Sequence, residues 1–357
     1  MKPSPRNKII EEDLDFLRSR PLEWSRFHDK TVIVTGASGF LPAYMVELLH
    51  SLGEHGDIRC KIVALVRNEA RAHARFAHLL DSPRFELLVQ DVCEPVNTSQ
   101  EIDFIVHAAS QASPKYYAKD PLGTFDANVQ GTRNLLKLGQ SKGIESFLFF
   151  SSGEVYGQVD ASCIPITEND YGKLDPSSLR SCYAEGKRAG ETLAVCWHHQ
   201  HGVPTRIARP FHTYGPGMLL DDGRVFADFV ADVVEGRNIT MKSDGSARRA
   251  FCYISDATEA FFKILLEGNP AFPYNVGNPD SECSVLELAT LLTDIAGEIH
   301  PQKNCSLIRS VHGNSQEYLQ SPIVRNSPDI SRLAALGWHP ETDLKTGFKK
   351  TILSYIS

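Results

Sequence analysis

"TGASGFLP", residues 35–42, follows the β-branched run "TVIV" (31–34) and precedes the helically spaced "AYMVELLHSL" (43–52). How these eight residues are read decides the fold. Gly36 permits a tight turn after a strand, and Gly39 lets backbone come close to a bound group. A third glycine normally follows at the start of the helix; here Pro42 stands in its place. Proline is tolerated in the first helical turn, where its missing N–H has no helical partner, and it pushes the residue before it out of the helical region. The helix is therefore expected to begin at Pro42, leaving the N–H groups of Phe40 and Leu41 at its positive end. Such an end receives phosphate, so the turn reads as a dinucleotide cradle.

The same rhythm continues outward. "KIVALV" (61–66), "FELLVQDV" (85–92), "DFIVHAAS" (103–110), "SFLFFSS" (146–152) and "PTRIARP" (204–210) read as strands. Between them lie helical segments at 68–80, 124–143 and 183–202. Continuous apolar strands separated by helices imply an α/β chain with a Rossmann-type, doubly wound parallel sheet, which takes ligands at the carboxyl ends of its strands. Residues 1–28 read as a helical extension around "EEDLDFLRSR" (11–20), and 29–210 as the dinucleotide-binding domain. Residues 211–357 read as mainly a smaller α/β substrate lobe, with part of the chain returning to the sheet. Ser284 and Glu287 form a capping box that opens a helix in that lobe.

Net charge is −7, which disfavours a nucleic-acid partner. No apolar run approaches the roughly 18 residues of a membrane span, and the first twenty residues lack a signal-peptide core. The expectation is a cytoplasmic protein. Eight cysteines without a C-x-x-C pair read as free thiols. His198, His199 and His201 lack the spacing of a metal site and read as a solvated helix end, so no metal is expected.

Tyr183 and Lys187 stand at i and i+4, on one helix face. Ser151 and Ser152, at the end of the fifth strand, point to the same cleft. This set suits proton transfer coupled to hydride transfer. To act near neutrality the phenol must fall by roughly 3 units, about 4 kcal/mol of preferential phenolate stabilisation. An ammonium and a positively charged cofactor ring are the groups to supply it. At the adenosine end the second strand runs into "LVRNEAR" (65–71) with no acid. Arg67 suits a 2′-phosphate or stacks on adenine, which leaves NAD and NADP both open. Asp91 is placed to accept from the adenine amino group or to cap a helix.

"TGASGFL", "HAASQASPKYY", "NVQGTRNLL", "SSGEVYG", "YAEGKRAGE", "RPFHTYGPGM", "DDGRV", "RRAFCYISDATEAF", "YNVGNP" and "LGWHPETDLKTGFKKTI" cover about residues 30–350. Together they resemble the extended short-chain dehydrogenase/reductase family, in its branch of nucleotide-sugar epimerases, dehydratases and decarboxylases. The likeness is strongest to UDP-glucuronate decarboxylases, along the run from "SCYAEGKR" through "DDGRV" to "AFCYISD". The resemblance implies that Tyr183 takes the proton of the sugar 4-hydroxyl and that Lys187 tunes Tyr183 and holds the nicotinamide ribose. It implies that Ser152 bonds the 4-oxygen and that Glu154 lies near C5. Arg249 would sit close to the diphosphate or the carboxylate, and Arg224 in the nucleotide site. Val92, Ala108, Ala109, Ser110 and Pro210 would line the cofactor, and Ser113 the substrate. Two of the long helices, 124–143 and 183–202, would pair with a second copy in a homodimer.

Two positions depart from the pattern. Gly153 replaces the aspartate of dTDP-glucose dehydratases and the serine of decarboxylases. His212 stands where the family has a diphosphate-binding asparagine, and an imidazole there is expected to change charge near neutral pH. The resulting expectation is an NAD(P)-dependent enzyme acting on a nucleotide-diphosphate sugar through a transient 4-ketone, foremost by decarboxylation of a uronate. A 4-epimerase, a 4,6-dehydratase and a catalytically silent cofactor-sensing module are the alternatives.

Overall fold

The computed structural model describes residues 7–356 apart from 57, 114–116, 118, 304 and 310–323. In chain order β1 (Lys30–Thr35), β2 (Cys60–Val66), β3 (Phe85–Val89), β4 (Phe104–His107), β5 (Ser146–Phe150) and β6 (Thr205–Pro210) come first. β7 (His212–Tyr214), β8 (Ile239–Met241) and β9 (Arg248–Tyr253) follow, then β10 (Pro273–Val276). The first six and β10 form one parallel sheet of seven strands, ordered β3-β2-β1-β4-β5-β6-β10. The order reverses between β1 and β4, where Thr35 pairs with His107. A crevice opens at such a switch point, beyond the carboxyl ends of the two strands.

Strand alternation assigns each face its core. Val32 and Val34 of β1, Phe104 and Val106 of β4, and Leu148 and Phe150 of β5 join one cluster, with Met45, Phe261 and Trp338. Ile33, Ile105, Phe147 and Phe149 join the other, with Leu135 and Ala194. A side-chain period of two on a sheet covered on both sides gives this division. The covering helices are α2 (Phe40–His55) on the first face, and α4 (Pro121–Lys142) and α5 (Ser181–His201) on the second, with α1 (Lys8–Arg18) and α3 (Glu69–Arg75) earlier in the chain.

Beyond β6, α6 (Val225–Glu235), α7 (Ile254–Glu267), α8 (Val285–Ile299), α9 (Ser331–Ala334) and α10 (Leu344–Ile356) accompany a second sheet. There β9 pairs with β7, with β11 (Glu282–Ser284) and with β13 (Arg325–Asn326), while β12 (Leu307–Arg309) and β8 form a separate two-stranded sheet. Its core holds Phe226, Phe229, Phe251, Leu288 and Leu292. Tyr214 stacks on Phe348 with centroids 4.0 Å apart. The capping box of α8 forms, with Glu287 N bonding Ser284 Oγ at 3.1 Å and Ser284 N bonding Glu287 Oε2 at 2.7 Å.

Several boundaries move. α2 starts at Phe40, with Gly39 as its cap, so Leu41 is helical and Pro42 lies inside the first turn rather than at its first residue. A first-turn N–H has no helical acceptor, so nothing is lost there by having proline. The third and fourth strands end at Val89 and His107, shorter than expected, because Asp91 and the chain after His107 turn into the crevice. α3 is only seven residues long.

The N-terminal helix is tied inward. Asp13 is buried and accepts from the Tyr253 hydroxyl at 2.8 Å and the Tyr44 hydroxyl at 3.3 Å, and it pairs with Lys350. One carboxylate thus joins α1 to α2, to the end of β9 and to α10. Asp13→Ala leaves an ammonium and two phenols without their acceptor, and should destabilise the fold by about 3 kcal/mol. Urea unfolding measures this as a lower midpoint at an unchanged slope; a loss below about 1 kcal/mol would show that the cluster rewires.

Candidate active site

Gly36 has φ +62°, a conformation that L side chains rarely adopt. A Cβ built there would lie 2.7 Å from Ala109 Cα and 3.1 Å from the Ala108 carbonyl oxygen. The turn after β1 therefore touches the chain leaving β4. Gly39 N bonds the Gly36 carbonyl at 2.7 Å, and the first helical bond of α2 runs from Ala43 N to the Gly39 carbonyl at 3.2 Å. The N–H groups of Phe40 and Leu41 precede that bond and have no helical acceptor. A buried chain of polar contacts fixes the β4 side. Thr35 Oγ1 accepts from Ala109 N at 3.2 Å and meets His107 Nδ1 at 2.9 Å, and His107 Nε2 meets Thr132 Oγ1 of α4 at 3.1 Å. Burial, with help from Lys187, pushes His107 down to about 3, so it is a neutral strut. The sequence reading passed over His107 because a histidine in an apolar strand carries no signal of its own.

Val92 is buried, and its side chain meets α4 at Gly131, where a Cβ would lie 2.8 Å away. Asp91 caps its own turn through Cys93 N at 2.9 Å and faces Arg67 at 3.6 Å. Arg67 also lowers Asp120, after the Gln111 and Gly123 hydrogen bonds. Ser110 Oγ is buried with no hydrogen-bond partner among the described residues. A turn with no room for a side chain, first-turn N–H groups without a helical acceptor and this orphaned hydroxyl fit a dinucleotide of the NAD type.

Tyr183 and Lys187 come from the first turns of α5, and Ser152 from the turn after β5. The Ser152 hydroxyl lies close enough to the Tyr183 phenol to act on it, and Ser152 Oγ accepts from Glu154 N at 3.2 Å. Lys187 Nζ donates to the Phe150 carbonyl at 2.6 Å and lies 5.7 Å from the Tyr183 ring centroid. Burial raises Tyr183 to about 12, against Ser152, with Glu154 raising it further and Arg224 lowering it. Burial lowers Lys187 to about 7, against the field of Glu191. The protein groups therefore do not supply the lowered phenol the sequence called for, because desolvation outweighs Ser152 and Arg224, the two groups that lower it. Ser151 turns away, bonding Glu191, which also holds Arg209 at 2.6 Å.

Two further groups join the site that the sequence reading did not single out. Tyr117 stacks on Tyr183, centroids 5.2 Å apart and 19° between planes. Arg180 lies 3.5 Å from Glu154 and over the Tyr117 ring at 5.8 Å. Tyr117 belongs to the quoted run "HAASQASPKYY" and Arg180 precedes "SCYAEGKR", so adjacency to those runs was the available signal. Gly153 is buried with the Phe211 ring beside it; a Cβ would meet that ring at 3.3 Å. Phe211 follows Pro210, which ends β6.

The expected substrate groups lie on the second lobe's side. Ser113 Oγ donates to the Asp222 carbonyl at 2.6 Å, and Arg224 Nε bonds the Asp222 carboxylate at 2.6 Å, so both hold the 222–224 turn. Arg249 Nη1 donates to the Arg248 and Val324 carbonyls at 2.7 and 3.1 Å. His212 Nδ1 is buried without a hydrogen-bond partner among the described residues. Burial, then Arg249 and Arg224, hold His212 well below its ordinary range. Instead of changing charge near neutral pH, it is a neutral ring with one unused polar atom.

Lys187 carries a pH signature. Its depressed folded value means that between pH 7 and about 10.5 the unfolded chain binds the extra proton, so stability rises with pH across that window and is flat below it. The cofactor-free protein should gain stability over this window relative to Lys187→Met, as read from paired denaturant titrations at several pH values. Parallel curves would show that Lys187 keeps its ordinary value.

The NAD dependent epimerase/dehydratase family profile matches residues 32–277. UDP-glucuronic acid decarboxylase 6 of Arabidopsis thaliana is 36% identical over 330 residues, 92% of this chain and 90% of its own. UDP-glucuronic acid decarboxylase 1 of Danio rerio is 33% identical, over 97% of this chain and 78% of its own. Among solved structures, UDP-glucose 4-epimerase of Thermotoga maritima with UDP-glucose superposes with a TM-score of 0.76 at 20% identity, over 91% of this chain and 98% of that one. UDP-glucuronic acid 4-epimerase of Bacillus cereus, in complex with UDP-glucuronic acid and NAD, gives 0.75 at 21% over the same shares. The structural matches share the fold; the sequence matches and the profile go further, and by them the chain belongs to the NAD-dependent epimerase/dehydratase family.

Proposed function

We propose that this protein is an NAD-dependent decarboxylase of a UDP-hexuronate, acting through a transient 4-keto sugar. The observation that carries the reading is Tyr183 with Lys187 5.7 Å from its ring and with Ser152 and Glu154 both close enough to act on its phenol, in a chain 36% identical to a UDP-glucuronic acid decarboxylase. NAD, when bound, supplies the hydride acceptor for C4 and a positive charge beside Tyr183. Tyr183 holds the proton of the 4-hydroxyl, and Ser152 orients that oxygen. Lys187, partly charged near neutrality, favours the phenolate as the proton moves. A ketone at C4 makes the C5 carboxylate a β-keto acid. Its C5–C6 bond breaks, the electron pair passes into the 4-keto group, and CO2 leaves; C5 then takes a proton, and the hydride removed from C4 returns there as Tyr183 gives the proton back to the 4-oxygen. His212, Arg224 and Arg249 bracket the diphosphate in this reading.

Gly153 and the Phe211 ring beside it leave no acid for a departing 6-hydroxyl, which argues against 4,6-dehydration. Arg67 faces Asp91 and the field of Asp120, and a 2′-phosphate would meet the same carboxylates, which favours NAD over NADP. Residues 29–210 are assigned to the cofactor and 211–357 mainly to the substrate. We also propose that α4 and α5 pair with those of a second copy; scattering at micromolar concentration should show a dimer, and a monomer there would refute it.

Incubation with UDP-glucuronate should release one CO2 per sugar and yield a pentose nucleotide by NMR. A C4 epimer with all six carbons kept would replace this reading with the epimerase one. Tyr183→Phe should lower kcat roughly 10²–10⁴-fold and leave NAD affinity within about twofold, measured by calorimetry; retained turnover would overturn the assignment of Tyr183.

A further inference from the structure

Tyr183, Lys187 and Glu191 stand at i, i+4 and i+8 along one face of α5. The third lies one turn deeper than the pair that does the chemistry, and its side chain is only 12% exposed. Two strands hold it at once. Arg209 of β6 meets it bidentately, Nε to Oε1 at 2.8 Å and Nη2 to Oε2 at 2.6 Å. The Ser151 hydroxyl, at the end of β5, donates to the same Oε1. Ser151 N is fixed in turn to the Ala208 carbonyl of β6 at 2.7 Å. The residue before Ser151 is Phe150, whose carbonyl accepts from Lys187 Nζ at 2.6 Å.

A buried ion pair by itself argues only for packing. This one reaches the catalytic lysine by two routes. The first is geometric. Lys187 Nζ has the Phe150 carbonyl as its hydrogen-bond acceptor among the described residues, and the hold of Glu191 on Ser151 sets where the Phe150–Ser151 peptide presents that carbonyl. The second is electrostatic. Lys187 is buried, over the Phe149 ring of β5 at 5.1 Å. The titratable groups around it are Tyr183 and Glu191 on its own helix and the neutral His107 on β4. Arg209 of β6 is engaged by Glu191 and by the Tyr156 hydroxyl at 2.9 Å, and α4 brings no charged group that acts on the lysine among the described residues. Glu191 is thus the anion that opposes the desolvation of Lys187.

We propose that Glu191 is the positioning residue of the Tyr183–Lys187 pair: clasped by Ser151 and Arg209, it fixes the carbonyl that holds Lys187 and is the anion that keeps this lysine available as an ammonium. For turnover this rests on the Tyr183–Lys187 chemistry proposed above; the charge state of Lys187 does not.

The first test therefore needs neither substrate nor cofactor. Paired denaturant titrations of the full chain, with and without Lys187→Met, isolate the stability that Lys187 carries, from about pH 5 to pH 10. In the unsubstituted background this contribution starts to rise with pH near about 7. Glu191→Gln removes the anion and lowers the folded value further, so the onset should move down by about one pH unit. An onset that stays in place while overall stability falls would assign Glu191 to packing alone and overturn the inference. Glu191→Gln leaves a buried guanidinium without its anion, so the double variant Glu191→Gln, Arg209→Gln runs beside it and should show the same downward move. The second test is turnover of UDP-glucuronate by the NAD-loaded protein. Ser151→Ala keeps the ion pair and should lower kcat roughly three- to tenfold, with KM and NAD affinity within about twofold; an unchanged kcat would overturn the geometric route. If the unsubstituted protein converts no nucleotide hexuronate, the proposed function falls while the onset still decides the role of Glu191.

Discussion

The contact between the turn after β1 and the chain leaving β4 governs the cleft. Gly36 touches Ala108 and Ala109 so closely that a single added carbon has no place, and its positive φ excludes ordinary side chains a second time. That approach brings the carboxyl ends of two neighbouring strands together where the sheet order reverses. The Thr35–His107–Thr132 chain then locks the crossing to α4. Because α4 and α5 lie together on one face, the same lock sets where Tyr183 and Lys187 face the crevice.

Desolvation dominates the electrostatics of the site. It is the largest influence at Tyr183, Lys187 and His212 alike, with Arg249 and Arg224 adding to it at His212, and in each case it favours the neutral form. The protein thereby biases a phenol, an amine and an imidazole toward their neutral forms, and low dielectric makes any charge brought beside them count for more than it would in water.

Much of this was legible in the chain. Apolar runs of the right length separated by helical spacing placed six parallel strands, and Ser284 with Glu287 placed a cap that forms as expected. Tyr183, Lys187 and Ser152 were named from spacing and order, and they meet in space. One boundary and several contacts were not legible. Pro42 did not mark the first helical residue, because any first-turn position tolerates a missing N–H. Ser113 and Arg224 proved to be bound to the Asp222 turn, a contact across 109 residues in the case of Ser113. Tyr117 and Arg180 were missed because an aromatic or an arginine acquires its role only from what folds against it.

The sequence by itself determined the alternation of strand and helix, the glycine turn and the Tyr-x-x-x-Lys pair, since these depend on backbone sterics and on periods of 2 and 3.6 residues. Only the tertiary structure decided the charge states and the partners. The lowered Lys187, the neutral His212 and the Arg180–Glu154 pair all arise from burial and from neighbours distant in the chain, and no local spacing encodes either.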